Sequence, residues 1–218
     1  MIRNLILIQL LIVLFSLFMV GCQSSKQEDK DLGWYLSSAK GRDVWQKPEL
    51  VIQKMGALSD RTIVDIGAGT GYFTFRLAFH AQKVIATDID PKMVELMELF
   101  AAQLPVHIHE KIDIRQVEPD HPGTQEGEAN IYLIINTITY IKHPVDYLTH
   151  IHQLLPEEGM VMIVDFKTLF LEVDAPPIHE RIAHEIIVQW LGEAGFSKIE
   201  YDLDLLANQY VVMGWKKE

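Results

Sequence analysis

The chain has 218 residues, of which 49% are hydrophobic, enough for one sizeable domain with its own core. It carries 19 basic against 30 acidic residues, a formal net charge of −11, and no Lys/Arg cluster along any expected helix. That field disfavours a polyanionic partner, nucleic acid above all, and a single cysteine excludes an internal disulfide framework.

In chain order, Met1 to Asn4 supplies one positive charge through Arg3, and Leu5 to Val20 is apolar apart from Gln9 and Ser16. Met19-Val20-Gly21-Cys22 then sets small residues before the cysteine. This resembles a bacterial lipoprotein signal, cleaved before Cys22, which would become the lipid-attachment residue. Residues 1–22 are then signal, residues 23–32 a flexible, solvated tether, and residues 33–218 the folded domain. The implied location is the cell envelope, with the chain held at the membrane by its lipid. An uncleaved inner-membrane anchor with a cytoplasmic domain, or a plain cleaved leader, remains open on the same residues.

The next signal is Thr62 to Tyr72, TIVDIGAGTGY. Ile63 and Val64 read as a buried strand with Asp65 at its carboxyl end. Gly67, Ala68, Gly69 and Gly71 follow as a loop whose bare backbone admits a ligand closely, and Tyr72 to His80 continues as a helix. The acid before the glycines, and a G-A-G-T-G spacing in place of G-x-G-x-x-G, argue against a dinucleotide pyrophosphate and for an amine-bearing ligand. Lys83 to Asp88 is a second strand, and Asp88, a carboxylate at its end, can accept from both hydroxyls of a ribose. Asp90 with Pro91 reads as the cap of a helix over Lys92 to Gln103, whose Met93, Leu96, Met97 and Phe100 form a core stripe.

Through D-I-G-A-G-T-G and Ala86-Thr87-Asp88-Ile89-Asp90, the chain from about Gly41 onward resembles the class I S-adenosylmethionine-dependent methyltransferases. It resembles in particular a branch with an upstream R-D-x-W-Q-K-P segment, here Arg42-Asp43-Val44-Trp45-Gln46-Lys47-Pro48. The resemblance implies a Rossmann-like α/β fold: a seven-stranded, mostly parallel sheet with helices on both faces and a C-terminal antiparallel hairpin. It implies S-adenosyl-L-methionine as donor. The glycine loop would hold the methionine end, Asp65 would orient its ammonium, and Ile89 would pack on the adenine. Trp45 and Gln46 would close over the donor.

Val106 to Ile112 is expected as a third strand ending at Asp113, which in related methyltransferases reaches the adenine amino group and otherwise begins a turn. His107 and His109 alternate on one face of that strand with Glu110 adjacent, a two-residue spacing with no third ligand in view, so no metal is expected. Asn130 to Asn136 is a buried fourth strand delivering Asn136, Thr137 and Tyr140 to the carboxyl edge, where ligands bind in open α/β sheets. Relatives carry a His-His pair near this point, where this chain has Thr139-Tyr140, so no histidine base is available there. Pro144 opens a helix through Leu155, and Gly159 to Phe166 is a fifth strand reaching Asp165. His179 to Ala194 is a helix closed by Gly195, and Ser197 to Leu203 and Gln209 to Trp215 form the hairpin. Tyr140 and Asp165 are the candidates for contact with the acceptor.

The expected function is a membrane-tethered S-adenosylmethionine-dependent methyltransferase acting on a small-molecule, lipid or protein acceptor. The alternative is a non-enzymatic exported lipoprotein that uses the fold to bind a nucleoside-like ligand or an envelope partner.

Overall fold

A computed structural model describes residues 41–217. The leader, Cys22 and the tether lie outside the described residues. From Asp43 onward the described chain is one compact unit, and none of its helices is long and apolar enough to cross a membrane.

Among the described residues seven strands form one sheet. They are β1 (Thr62–Ile66), β2 (Lys83–Asp88), β3 (Ile112–Gln116), β4 (Ile131–Ile135), β5 (Met160–Phe166), β6 (Lys198–Asp202) and β7 (Gln209–Trp215), in the order β3-β2-β1-β4-β5-β7-β6. The first five strands are parallel, while β7 runs antiparallel between β5 and β6. This is the expected Rossmann-like architecture with its terminal hairpin. The central strands are unbroken apolar runs because both faces are covered. Ile63, Leu133 and Met162 enter one core with Val51 and Leu77. Tyr132, Ile163 and Val212 enter the other with Leu148 and Leu191. Each such side chain contributes about 1.5–3 kcal/mol through burial.

Two short helices, α1 (Arg42–Gln46) and α2 (Pro48–Lys54), precede the sheet, separated by Lys47 at φ 46°. Helix α3 (Tyr72–Leu77) follows the glycine loop. Helix α4 (Pro91–Ala101) starts as expected: Asp90 accepts the Lys92 N–H at 2.9 Å and Pro91 opens the first turn. Helices α6 (Pro144–Leu154) and α7 (His184–Glu193) cover the second face, and α7 ends at Gly195 with φ 97°.

Two expected elements differ. Val106 to His109 is a single helical turn, α5, and the third strand begins only at Ile112. Pro105 offers its carbonyl to the Ile108 and His109 N–H groups, and the turn buries Ile108, so the alternating V-H-I-H pattern satisfies a helix as well as a strand. The histidines therefore do not share a strand face. The last helix starts at His184 and not at His179. Ile178–Glu180 forms a 3₁₀ turn, and Arg181 is extended, at φ −85° and ψ 144°. Its guanidinium donates to the carbonyls of Pro176, Lys167 and Leu169, pinning the chain outside a helix.

Candidate functional site

Strand order reverses at β1, whose neighbours are β2 on one side and β4 on the other. Such a reversal opens a crevice at the carboxyl edge, and the glycine loop fills its rim. Gly67 and Ala68 donate N–H bonds to the Thr87 carbonyl at 2.8 and 3.0 Å, sewing the loop onto the end of β2. Gly67, Gly69 and Gly71 adopt φ of 67°, 58° and 84°, a region other residues rarely enter. A Cβ on Gly67 would lie 2.5 Å from Thr137 on the far side of the switch point, whereas one on Gly69 would enter open space.

Asp88 closes this cradle. One carboxylate oxygen accepts the Gly69 N–H at 2.8 Å and the other the Asp90 N–H at 3.0 Å. A carboxylate offers about four acceptor positions, so each oxygen keeps capacity for a ligand hydroxyl while the backbone fixes its orientation. Asp65 sits deeper: it is buried, and Thr74 of α3 donates to it at 2.6 Å.

The crevice is a cleft of about 320 Å³, bounded by Gly67, Asp88, Ile89, Asn136, Thr137 and Tyr140. Thr87 also lines it, and its buried hydroxyl has no hydrogen-bond partner among the described residues. Val117, Glu118 and Pro119 enter from the end of β3, and neither they nor Thr87 were expected from the sequence. A polar residue inside the apolar run of β2 was the one available sign. An oriented carboxylate with spare acceptor positions, an apolar wall at Ile89, an orphan hydroxyl and a glycine facing open space fit a donor with ribose, adenine and amino-acid ends.

Other expected residues lie elsewhere. Asp113 is the second residue of β3, paired with Ile85 in register and so distant from the carboxyl edge where Asp88 pairs with Gln116. It is ion-paired to Arg115 and Lys83, both at 2.7 Å. The Arg115 hydrogen bond, with help from Lys83, holds its carboxyl below the usual range. Asp113 does not line the cleft, because the strand starts later than expected. Gln46 is 0% exposed and donates to Gln209 at 3.0 Å. Gln209 in turn donates to Asn136 at 2.6 Å, and Trp45 packs its ring 5.6 Å from that of Phe166. Gln46 thus braces the sheet edge and does not cover the cleft. Asn136 does reach the cleft, from a left-handed φ of 55°.

Tyr140 is 70% exposed at the mouth of the cleft. Asp165 is 5% exposed and lines neither the cleft nor the hollow beyond it. One of its oxygens accepts the Phe166 N–H at 2.7 Å and the other has no partner among the described residues, and burial pushes its pKa up to about 6. Among the described residues no group of histidine, cysteine and acidic side chains is placed to hold a metal ion.

Residues 64–161 match a family described as "Methyltransferase domain", whose methyl donor is S-adenosyl-L-methionine. The chain is 23% identical over 169 residues to a tRNA U34 carboxymethyltransferase of Actinobacillus succinogenes, covering 71% of this chain and 50% of that protein. It is 26% identical over 149 residues to a ribosomal RNA small subunit methyltransferase A of Oceanobacillus iheyensis, covering 66% of this chain and 49% of that protein. It thus spans about half the length of the curated relatives it matches. A crystal structure of a SAM-dependent methyltransferase from Aquifex aeolicus shares the fold, with a TM-score of 0.73, 18% identity and coverage of 80% of this chain and 92% of that one.

Proposed function

We propose that this chain is an active class I S-adenosylmethionine-dependent methyltransferase, held at the bacterial envelope through Cys22 and acting on a small-molecule, lipid or protein acceptor. The observation that carries the reading is the Gly69–Asp88 pair: a glycine facing open space, bonded to a carboxylate that keeps acceptor capacity on both oxygens. The donor supplies a methyl group already activated by its sulfonium. The protein's task is therefore to orient and to exclude water, which is worth on the order of 7 kcal/mol in favourable cases. Asp88 takes the ribose, Ile89 the adenine, and the backbone at Gly67 to Gly69 leaves room for the methionine end. Asp65, buried behind the loop, orients that end through the loop or an intervening water.

The tRNA and ribosomal RNA in the names of the two relatives are not carried over. A net charge of −11 opposes a nucleic-acid backbone. Envelope anchoring rests on the Met19-Val20-Gly21-Cys22 sequence alone.

Calorimetric titration of the full chain with S-adenosylmethionine and its demethylated product tests the donor site. Micromolar binding is the expected result, and no heat from a demonstrably folded sample would remove the reading. Fractionation of cells expressing Cys22→Ser tests the anchor: the variant should leave the membrane fraction, and unchanged sedimentation would sink the lipid assignment.

A further inference from the structure

The donor cleft opens into a second hollow of about 920 Å³, and the two share Ile89, Glu118, Pro119, Tyr140, Ile141 and Tyr147 in their walls. Tyr147 lies at the junction. It projects from α6 and is 6% exposed, and its hydroxyl makes no hydrogen bond among the described residues. Burial raises its pKa, so the hydroxyl stays protonated. A tyrosine hydroxyl that bonds nothing among the described residues, on a residue lining both spaces, is free to donate to or accept from a polar group that enters them.

The outer part of the hollow has a different character. Glu118, Asp120 and Asp146 line it against a single ammonium, Lys142, and none of the three acids takes part in an ion pair among the described residues. His143 and His150 complete the polar rim, and burial with the nearby His121 lowers the His150 pKa, which favours its neutral form. The rings of Tyr140 and Tyr147 and the side chains of Ile89, Pro119 and Ile141 supply the apolar wall. A negative rim over aromatic faces attracts a cation both by charge and through the ring quadrupole.

We propose that this hollow is the acceptor site and that it takes a compact amphiphile: an amine cation held at the Asp120–Asp146 rim, an apolar body along the wall, and a polar group turned inward to Tyr147. The inference rests on the proposed methyltransferase reading and names the acceptor class for that site. The inward polar group lies next to the donor cleft, so the ammonium is the handle and the inward group is the one methylated: its nucleophilic atom bonds the methyl carbon as the donor's C–S bond breaks, S-adenosylhomocysteine leaves as the neutral thioether, and the acceptor's proton passes to water. Tyr147 acts here as a specificity residue.

The test uses the purified full chain and three probes of one shape, titrated calorimetrically at low salt. Tyramine carries both the ammonium and a hydroxyl, phenethylamine lacks the hydroxyl, and 3-(4-hydroxyphenyl)propionate replaces the ammonium with a carboxylate. Tyramine should bind at least tenfold tighter than the propionate. The Asp120→Asn/Asp146→Asn variant should cut tyramine affinity at least fivefold, with S-adenosylhomocysteine affinity unchanged within twofold. Tyr147→Phe should abolish the advantage of tyramine over phenethylamine. Equal binding of amine and carboxylate, absence of tyramine binding in a sample that binds S-adenosylhomocysteine, or a tyramine advantage that survives Tyr147→Phe would each overturn the assignment. Variant-sensitive tyramine binding without S-adenosylhomocysteine binding would leave the hollow as an amine site and instead remove the donor reading.

Discussion

Replacing Asp165 with asparagine should stabilise the protein at neutral and alkaline pH and progressively less in acid. The carboxyl is buried and, among the described residues, one oxygen accepts only the Phe166 N–H and the other has no partner. Burial raises its pKa from 3.8 to about 6. The folded state therefore binds this proton more tightly than the unfolded chain does. Its favourable contribution is fully present below pH 3.8 and is lost as pH rises through about 6. At 1.36 kcal/mol per pKa unit, ionising the buried group costs about 3 kcal/mol at pH 8 but only about 1 kcal/mol at pH 4.5. Asparagine keeps an oxygen for the Phe166 N–H and never ionises. Any fixed cost of burying its amide is the same at both pH values and cancels in the comparison. Urea titrations of wild type and Asp165→Asn, followed by tryptophan fluorescence, should show the variant gaining about 2 kcal/mol more at pH 8 than at pH 4.5. A stability difference independent of pH would refute the account of Asp165 as a carboxyl kept neutral by burial.

Gly67→Ala and Gly69→Ala should separate two effects that share a backbone region. Gly69→Ala meets no atom and costs about 1–2 kcal/mol of left-handed strain, whereas Gly67→Ala adds a collision with Thr137 and should lower the melting temperature further, a deficit that Thr137→Ala partly restores. Asp88→Ala should abolish detectable S-adenosylhomocysteine binding by calorimetry while the sample stays folded by circular dichroism; unchanged affinity would remove the ribose assignment. Arg115 donates to Asp113, Glu128 and the Gly123 carbonyl, so Arg115→Met should cost about 1–2 kcal/mol, because the acids it leaves are partly solvated and Asp113 keeps Lys83. Because the Arg115 hydrogen bond holds Glu128 and Asp113 below their ordinary range, that loss should be present near neutral pH and shrink in acid, read from urea titrations.

Where the chain carried a local physical signature, the sequence was legible. The apolar runs at β1, β4 and β5 mark strands buried on both faces, Asp90-Pro91 marks a helix start, and the glycines after Asp65 mark a turn of positive φ. Period-two alternation failed at Val106 to His109, because four residues are too few to distinguish one helical turn from a strand when only Ile108 must point inward. That error carried Asp113 to the wrong end of its strand. Tyr147 was hidden differently: it falls on the core-facing stripe of α6 with Leu148 and Ile151, and periodicity reports the ring without revealing that the residue also lines a cavity.

Least legible of all was the brace of buried amides behind the cleft. Gln46 and Gln209 are 163 residues apart, and Gln209 and Asn136 are 73 apart, so no local pattern joins them. Asn136 can take part because its left-handed backbone turns the side chain out of strand alternation towards Gln209. The chain of donors has a direction: Gln46 gives to Gln209 and Gln209 gives to the Asn136 oxygen. That bond occupies one of the two lone pairs of the Asn136 oxygen and fixes on which side of the amide its N–H donors lie. The segment that resembles a donor-covering lid in sequence thus acts from beneath the sheet edge, fixing which face of one amide a ligand meets.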